Sequence, residues 1–229
     1  MTTRSPATDA DLTDLVRRWE RGWRACRGWE PPREEREALH LLPRRPGRHR
    51  EIVALRPDHL PGLRALAGEA AGDRDPTWLT VPTTRPDEVE PVLRDAGLHV
   101  KATREWLMTR ALATHPPRTA PSPYRARTTT SGTGLLTVEV WHGHGSDAPA
   151  ARGQAAVGRG DAVFDRIETA PAHRRRGLGS VVMATLAEGA VDLGARDGVL
   201  VASPDGRALY ASLGWTTRAA VVIATNGAG

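Results

Sequence analysis

The run Arg174-Arg175-Arg176-Gly177-Leu178-Gly179 stands between an apolar-rich stretch, residues 162–169, and a second apolar segment, residues 180–193. A strand that passes through a glycine turn into a helix leaves backbone N–H groups unpaired at the helix start, where the helix dipole is positive. Such a turn suits a phosphate. Gly177 and Gly179 lack the Cβ atoms that would hold a pyrophosphate away from the main chain. The spacing Arg-x-x-Gly-x-Gly is not the Walker pattern, since no Lys-Ser/Thr follows, nor the dinucleotide fingerprint Gly-x-Gly-x-x-Gly. An arginine triplet alone is more often a solvated turn, but the strand–loop–helix setting favours an anion site.

The elements that must position this loop follow from the hydrophobic pattern. Residues 124–128, 135–141, 151–157 and 162–169 read as successive strands, with Gly158-Arg159-Gly160 as the turn between the last two. A helix over 179–193, a strand over 199–202, a short helix over 206–213 and a strand over 219–224 follow. Upstream, Leu12, Leu15, Val16, Trp19, Trp23 and Cys26 share one face of a helix over 9–26. Core packing is the stronger reading of Trp19 and Trp23, with a substrate-lining role as the alternative. Pro31-Pro32 breaks that helix, and the Arg- and Glu-rich stretch 33–40 is expected to form a short helix. From residue 51 to 112 the pattern is β-α-β-α-β. Four prolines within 114–123 mark a linker, giving an expected division into residues 1–115, a linker 116–123, and residues 124–229.

From Leu135 onward the chain resembles the GNAT acyltransferases at four points in register. These are Phe164–Thr169 leading into Ala170-Pro171-Ala172-His173-Arg174, the Arg174-x-x-Gly177-x-Gly179 loop, the apolar helix Val181–Ala187, and Ala208-Leu209-Tyr210-Ala211-Ser212-Leu213-Gly214-Trp215. The last is similar to the family's Leu-Tyr-x-x-Leu-Gly-Phe element, with Trp for Phe. The resemblance implies an α/β (α+β) fold with a splayed mixed sheet flanked by helices, and acetyl-CoA as acyl donor in its gap. It implies contacts from Arg174, Arg175, Arg176, Gly177, Leu178, Gly179 and Ser180 to the pyrophosphate, and from Ile167, Glu168 and Thr169 to the pantetheine arm. It also implies Tyr210 as general acid for the coenzyme A thiolate. A carboxylate on the preceding strand, Asp165 or Glu168, would serve as base. Strand alternation puts those two on opposite faces, so only one faces the cleft unless a bulge intervenes, and a salt bridge to Arg166 or Arg152 explains either equally well. Ser203 stands where the family commonly has Asn, a hydrogen-bond donor of shorter reach toward the pantetheine.

The order of elements in 51–112 echoes that in 162–224, and Leu93–Leu98 takes the place of Leu209–Trp215. No Gly-x-Gly loop occurs between Glu51 and His59. Two readings stay open for this half: a degenerate repeat of the same fold that has lost cofactor binding and shapes the acceptor pocket, or an unrelated α/β cap.

The chain has 229 residues, 32 basic against 27 acidic, and a net charge of +5, which suits an anionic partner or a solvated basic surface. Lys101 is the only lysine, so the arginine excess reads partly as the coding bias of a GC-rich bacterial genome. No helix-turn-helix, zinc finger or aromatic-studded RNA motif accompanies the charge, which excludes a specific nucleic-acid function. A single cysteine, Cys26, excludes an intrachain disulfide and a cysteine metal cluster. His142-Gly143-His144 has no nearby carboxylate or thiol and reads as a hairpin loop, so no metal is expected. A cytoplasmic protein without membrane contact is expected, since no apolar run approaches a span or a signal peptide. The function expected is N-acetyl transfer to the primary amine of a small molecule or of a peptide or protein, by a monomer or homodimer. The alternative is a non-catalytic module that senses acyl-CoA.

Overall fold

The computed structural model describes residues 9–143 and 147–227. Helix α1 (Asp9–Arg27) buries Leu12, Leu15, Val16, Trp19, Trp23 and Cys26, the face expected from spacing. The chain then enters a hairpin, β1 (Arg33–Glu35) and β2 (Ala38–Leu41), where the sequence predicts a helix. Arg36 and Glu37 take positive φ values of 50° and 61°, the central residues of the hairpin turn. Ala38, Leu39 and Leu41 are buried beside β3 (Arg50–Ala54). Burying these three apolar groups in a sheet overrides the helix propensity of Arg and Glu.

Next come α2 (Leu60–Gly72), β4 (Thr77–Thr83), α3 (Pro86–Asp95), β5 (His99–Val100) and β6 (Glu105–Ala111). Beyond the proline-rich segment lie β7 (Tyr124–Thr130), β8 (Leu135–His142), β9 (Ala151–Gly158) and β10 (Asp161–Thr169). The chain ends with α4 (Leu178–Asp192), β11 (Asp197–Ala202), α5 (Pro204–Ser212) and β12 (Thr216–Thr225). No helix among the described residues is long and apolar enough to cross a membrane.

All strands join one mixed sheet in the order β1-β2-β3-β4-β12-β6-β11-β10-β9-β8-β7, with β5 on the end of β12. The two parallel pairs, β3·β4 and β10·β11, are each connected through a helix, α2 or α4; the other pairs are antiparallel. Two β-α-β-α-β units are therefore present, and they exchange their last strands. β6, from the first unit, lies on β11, while β12, from the second, lies on β4. The sheet does not divide at the proline-rich segment.

Three clusters of buried side chains cover the sheet. One packs α4 on the strands from β6 to β11; one packs α2 and α3 on β3, β4 and β12; the third packs α1 across the middle. Gly22 lets α1 approach β10 closely, since a Cβ there would stand 2.3 Å from the Val163 side chain. This contact sets the depth at which Trp19 and Trp23 sit against the sheet.

A continuous sheet with exchanged strands predicts one cooperative unfolding event. Leu79→Ala on β4 and Leu186→Ala on α4, both fully buried, should each cost about 2–5 kcal/mol. In scanning calorimetry both are expected to lower the same single transition. Two transitions that respond separately would show that the halves unfold independently.

Candidate active site

The ladder between β10 and β11 runs from Asp161↔Asp197 to Phe164↔Leu200 and stops, although β10 continues to Thr169 and β11 to Ala202. The sheet splays there, leaving an edge of unpaired peptide groups on Ile167–Thr169. On its other side β10 pairs with β9, with a register shift between Asp165 and Glu168 and Arg166 at φ 56°. This bulge breaks the alternation assumed from sequence. Asp165 and Glu168 consequently border the same cavity.

The splay opens into two adjoining cavities. The larger, about 890 Å³, is lined by Ile167–Thr169, by Arg174, Arg175 and Gly177–Ser180, and by α5. The smaller, about 350 Å³, lies under α1 and draws its walls from both halves of the chain. Ile167, Glu168, Ser203 and Tyr210 line both.

In the larger cavity the loop forms a concave set of donors. Arg175 (φ 61°) and Gly177 (φ 76°) are both left-handed, and Gly177 caps α4. Among the described residues, no protein acceptor takes the amides of Arg175 through Gly179, while Ser180 and Val181 donate to the Gly177 carbonyl at 3.0 and 3.2 Å. Five open amides at a helix N-terminus fit an anion such as pyrophosphate. The two glycines have different reasons. At Gly177 an added Cβ meets nothing within 4 Å, so the backbone conformation is what demands glycine; at Gly179 it would meet Leu209 at 2.9 Å, so that position serves the packing of α4 on α5.

Arg174 donates to the Thr169 carbonyl (3.3 Å), and Arg175 lines the cavity. Arg176 instead sends its guanidinium to the Tyr124 hydroxyl at 3.1 Å, which also lies 2.9 Å from His173 Nδ1. His142, at the end of β8, stacks between Tyr124 and His173, with ring centroids 4.9 and 5.3 Å away. These groups brace the loop against β7 and β8. His144 lies outside the described residues. Ser203 caps α5, its Oγ accepting from the Gly206 amide at 3.2 Å, which leaves the hydroxyl hydrogen available to the cavity.

The first half offers a direct comparison. At the start of α2, the counterpart of α4, a Cβ on Gly62 would stand 3.0 Å from a Glu37 carboxylate oxygen, and the same oxygen is 2.7 Å from His59 Nδ1. A carboxylate of the chain itself lies beside the helix N-terminus, and Pro61 removes one amide there. The start of α4 has no such neighbouring carboxylate among its cavity-lining loop residues.

Tyr210 is buried at the junction of the two cavities, and its hydroxyl has no hydrogen-bond partner among the described residues. Burial, and secondarily the Asp165 charge, push its pKa up to about 12. Three carboxylates border the smaller cavity. Asp165 is held in two hydrogen bonds by Arg27 (2.8 and 3.0 Å). Glu168, 57% exposed, is held by Arg152 (2.8 and 3.0 Å). Glu105, on β6, has neither a hydrogen bond nor an ion pair within 4 Å among the described residues. Burial raises its pKa; Lys101, Arg48 and Arg27 pull it partly back.

Sequence reasoning does not find Glu105, Arg27, Arg48, Lys101 or Trp78. Arg48 bonds the buried Glu51 at 2.5 Å and lies over the Trp78 and Trp23 rings, 4.7 and 5.3 Å from their centroids; Lys101 lies over Trp78 at 4.2 Å. Trp19 and Trp23 are both buried core and cavity wall, stacked at 4.7 Å. No local pattern joins these residues; only the strand exchange does.

Residues 102–215 match the model of the acetyltransferase (GNAT) family. No curated protein is significantly similar in sequence. Among solved structures, a GCN5-related N-acetyltransferase from Kribbella flavida aligns with a TM-score of 0.68 at 16% identity, covering 99% of this chain and 98% of that one. A tandem GNAT protein from the clavulanic acid biosynthesis pathway aligns at 0.58 and 16% identity, over 84% and 79% of the two chains. A GCN5-related N-acetyltransferase from Sphaerobacter thermophilus aligns at 0.57 and 13% identity, over 96% and 93%. These likenesses establish the fold, and they extend through the N-terminal half.

Burial of the Tyr210 phenol has a spectroscopic consequence. In the folded protein at about pH 11 it remains protonated, whereas a tyrosine of ordinary pKa, ~10, is ionised. Tyr210→Phe should therefore leave the tyrosinate absorbance of the folded protein at that pH unchanged. A drop would mean that the hydroxyl is solvated. Because the folded-state pKa is raised, stability should fall as pH rises from about 10 towards 12, less so in the variant.

Proposed function

The chain belongs through residues 102–215 to the GNAT acetyltransferase family, and we propose that it is an acetyl-CoA-dependent N-acyltransferase acting on the primary amine of a small molecule or peptide. The observation that carries this reading is the meeting of an anion cradle and a partly apolar second cavity at one unpartnered phenol, Tyr210. In this reading the open amides of Arg175–Gly179 and the charge of Arg174 and Arg175 take the pyrophosphate, and the unpaired edge Ile167–Thr169 takes the extended pantetheine arm. Retention of both the cradle and Tyr210 favours an enzyme over a sensor of acyl-CoA, which needs no proton donor at the sulfur.

Acyl transfer then requires an unprotonated amine in the smaller cavity. Of the three carboxylates there, two are neutralised by arginine, and Glu105 is left to accept the ammonium proton. A glutamate with a raised pKa is better matched to that transfer than an ordinary one. The freed amine attacks the thioester carbonyl, a C–N bond forms and the C–S bond breaks. Tyr210, kept protonated by burial, gives its proton to the departing sulfur, and the proton that the new amide nitrogen sheds restores the phenol.

Calorimetric titration with acetyl-CoA tests the donor. Wild type and Tyr210→Phe should bind alike, while Gly177→Glu, which sets a carboxylate in the cradle at a strained φ, should weaken binding by about tenfold or more. Tyr210→Phe should lower kcat by about a hundredfold. Failure of the folded wild type to bind acetyl-CoA would overturn the proposal.

The base has its own signature in a pH profile of thiol release. A carboxylate must lose its proton to act, so the rate should rise with pH through an acidic limb set above the ordinary glutamate range. Glu105→Gln should lower kcat/KM by about a hundredfold and flatten that limb. An unchanged limb would move the role to Asp165 or Glu168.

A further inference from the structure

We propose that the acceptor is an amine that also carries a carboxylate, an amino-acid-sized zwitterion with its amine at Glu105 and its carboxylate at Lys101. The inference rests on the acyltransferase reading and goes on from the charges of the smaller cavity. Seven charged side chains line it: Arg27, Arg48, Lys101, Arg166, Glu105, Asp165 and Glu168. Arg27 is spent on Asp165, Arg48 on the buried Glu51, and Glu168 on Arg152. What remains without a carboxylate or guanidinium partner within 4 Å, among the described residues, is one acid, Glu105, and two cations, Lys101 and Arg166. A diamine would bring a second positive charge against the two cations. A zwitterion meets both signs at once.

The cations have different footing. Both side chains are exposed, and Arg166 sits in the β10 bulge. Lys101 is fixed: its backbone amide donates to the Ile223 carbonyl at 2.8 Å, and its ammonium lies over the Trp78 ring at 4.2 Å. It is also the only lysine in a chain whose other basic residues are arginine. An ammonium is a compact point charge suited to one end of a carboxylate, whereas a guanidinium would spread over the neighbouring indoles. Lys101 and Glu105 line the same cavity, so both ends of a short zwitterion can be met together. Trp19, Trp23, Trp78, Val221 and Ile223 supply apolar wall beside them, with Thr80, Ser203 and Tyr210 as polar groups. A volume of about 350 Å³ holds one amino-acid side chain and backbone, not a folded segment of protein.

The test uses matched pairs in the acetyl-CoA assay: L-phenylalanine with 2-phenylethylamine, L-leucine with 3-methylbutylamine, and L-arginine with agmatine. For at least one pair the amino acid should exceed its decarboxylated partner by about tenfold or more in kcat/KM, and Lys101→Met should shrink that ratio to within about threefold through KM. Lys101→Arg should restore part of it, and acetyl-CoA affinity should not change in either variant. Better turnover of the amines, or a ratio indifferent to Lys101→Met, overturns the proposal. So does acetyl-CoA binding with neither member of any pair turned over, an outcome that leaves the acyltransferase reading standing. Quenching of tryptophan fluorescence by L-leucine, without acetyl-CoA, reads the cavity apart from catalysis. Saturable quenching weakened by Lys101→Met supports the zwitterion site, and its absence counts against it.

Discussion

Ladder pairs from Ala220↔Thr83 to Thr225↔Trp78 fasten the last strand of the chain to its first half, and pairs from Asp197↔Ala111 to Ala202↔Trp106 fasten β6 to the second. Between them β6 and β12 pair with each other. Neither half completes its sheet alone. Main-chain hydrogen bonds along a ladder fix register as well as affinity, because a slip of one residue would turn every buried side chain to the wrong face. The register here puts Glu105 one residue past the Trp106↔Ala202 pair and opposite Val221. That is the mouth of the splay, and no other arrangement of the two halves would deliver a carboxylate from β6 to it.

The splay is the second geometric fact, and it depends on the first. Once β10 and β11 part after Phe164 and Leu200, their peptide groups need partners. β11 keeps β6 and β10 keeps β9 along their outer edges, so only the peptide groups on the two facing edges are left open. The bulge at Asp165–Glu168 then turns two carboxylates into one cavity, where alternation would have separated them. Arginines from α1 and β9 neutralise both. Both are already engaged by a guanidinium, which is why the partnerless acid on β6 carries more chemical interest than the two on β10.

The C-terminal elements and the loop were legible in the sequence because their determinants are local. A strand, a glycine in the left-handed region and an apolar helix follow one another without interruption, and Tyr210 sits on the next crossover. Other features were hidden for identifiable reasons. The hairpin over 33–41 has a helix-forming composition and a turn made by Arg36 and Glu37, residues that give no turn signal. The bulge is formed by Arg166, again without glycine. Arg27, Arg48, Trp78 and the pair Lys101 and Glu105 come from four separate places in the chain, and their convergence is a property of strand order that no spacing encodes.

The two halves also show how one fold gains or loses a ligand at small cost. α2 and α4 occupy equivalent places after a parallel strand, and both begin with amides that the helix cannot satisfy itself. In α4 the left-handed Arg175 and Gly177 hold those amides open. In α2 the β1–β2 turn brings the Glu37 carboxylate beside Gly62, where His59 holds it. An anion that belongs to the chain is present there at high effective concentration and repels an external phosphate. The larger cavity is built on a contiguous loop of the second half, while the smaller one gathers scattered residues of both halves, Trp78, Lys101 and Glu105 among those of the first. Substitution at Lys101 or Trp78 therefore alters the smaller cavity without touching the loop of the larger.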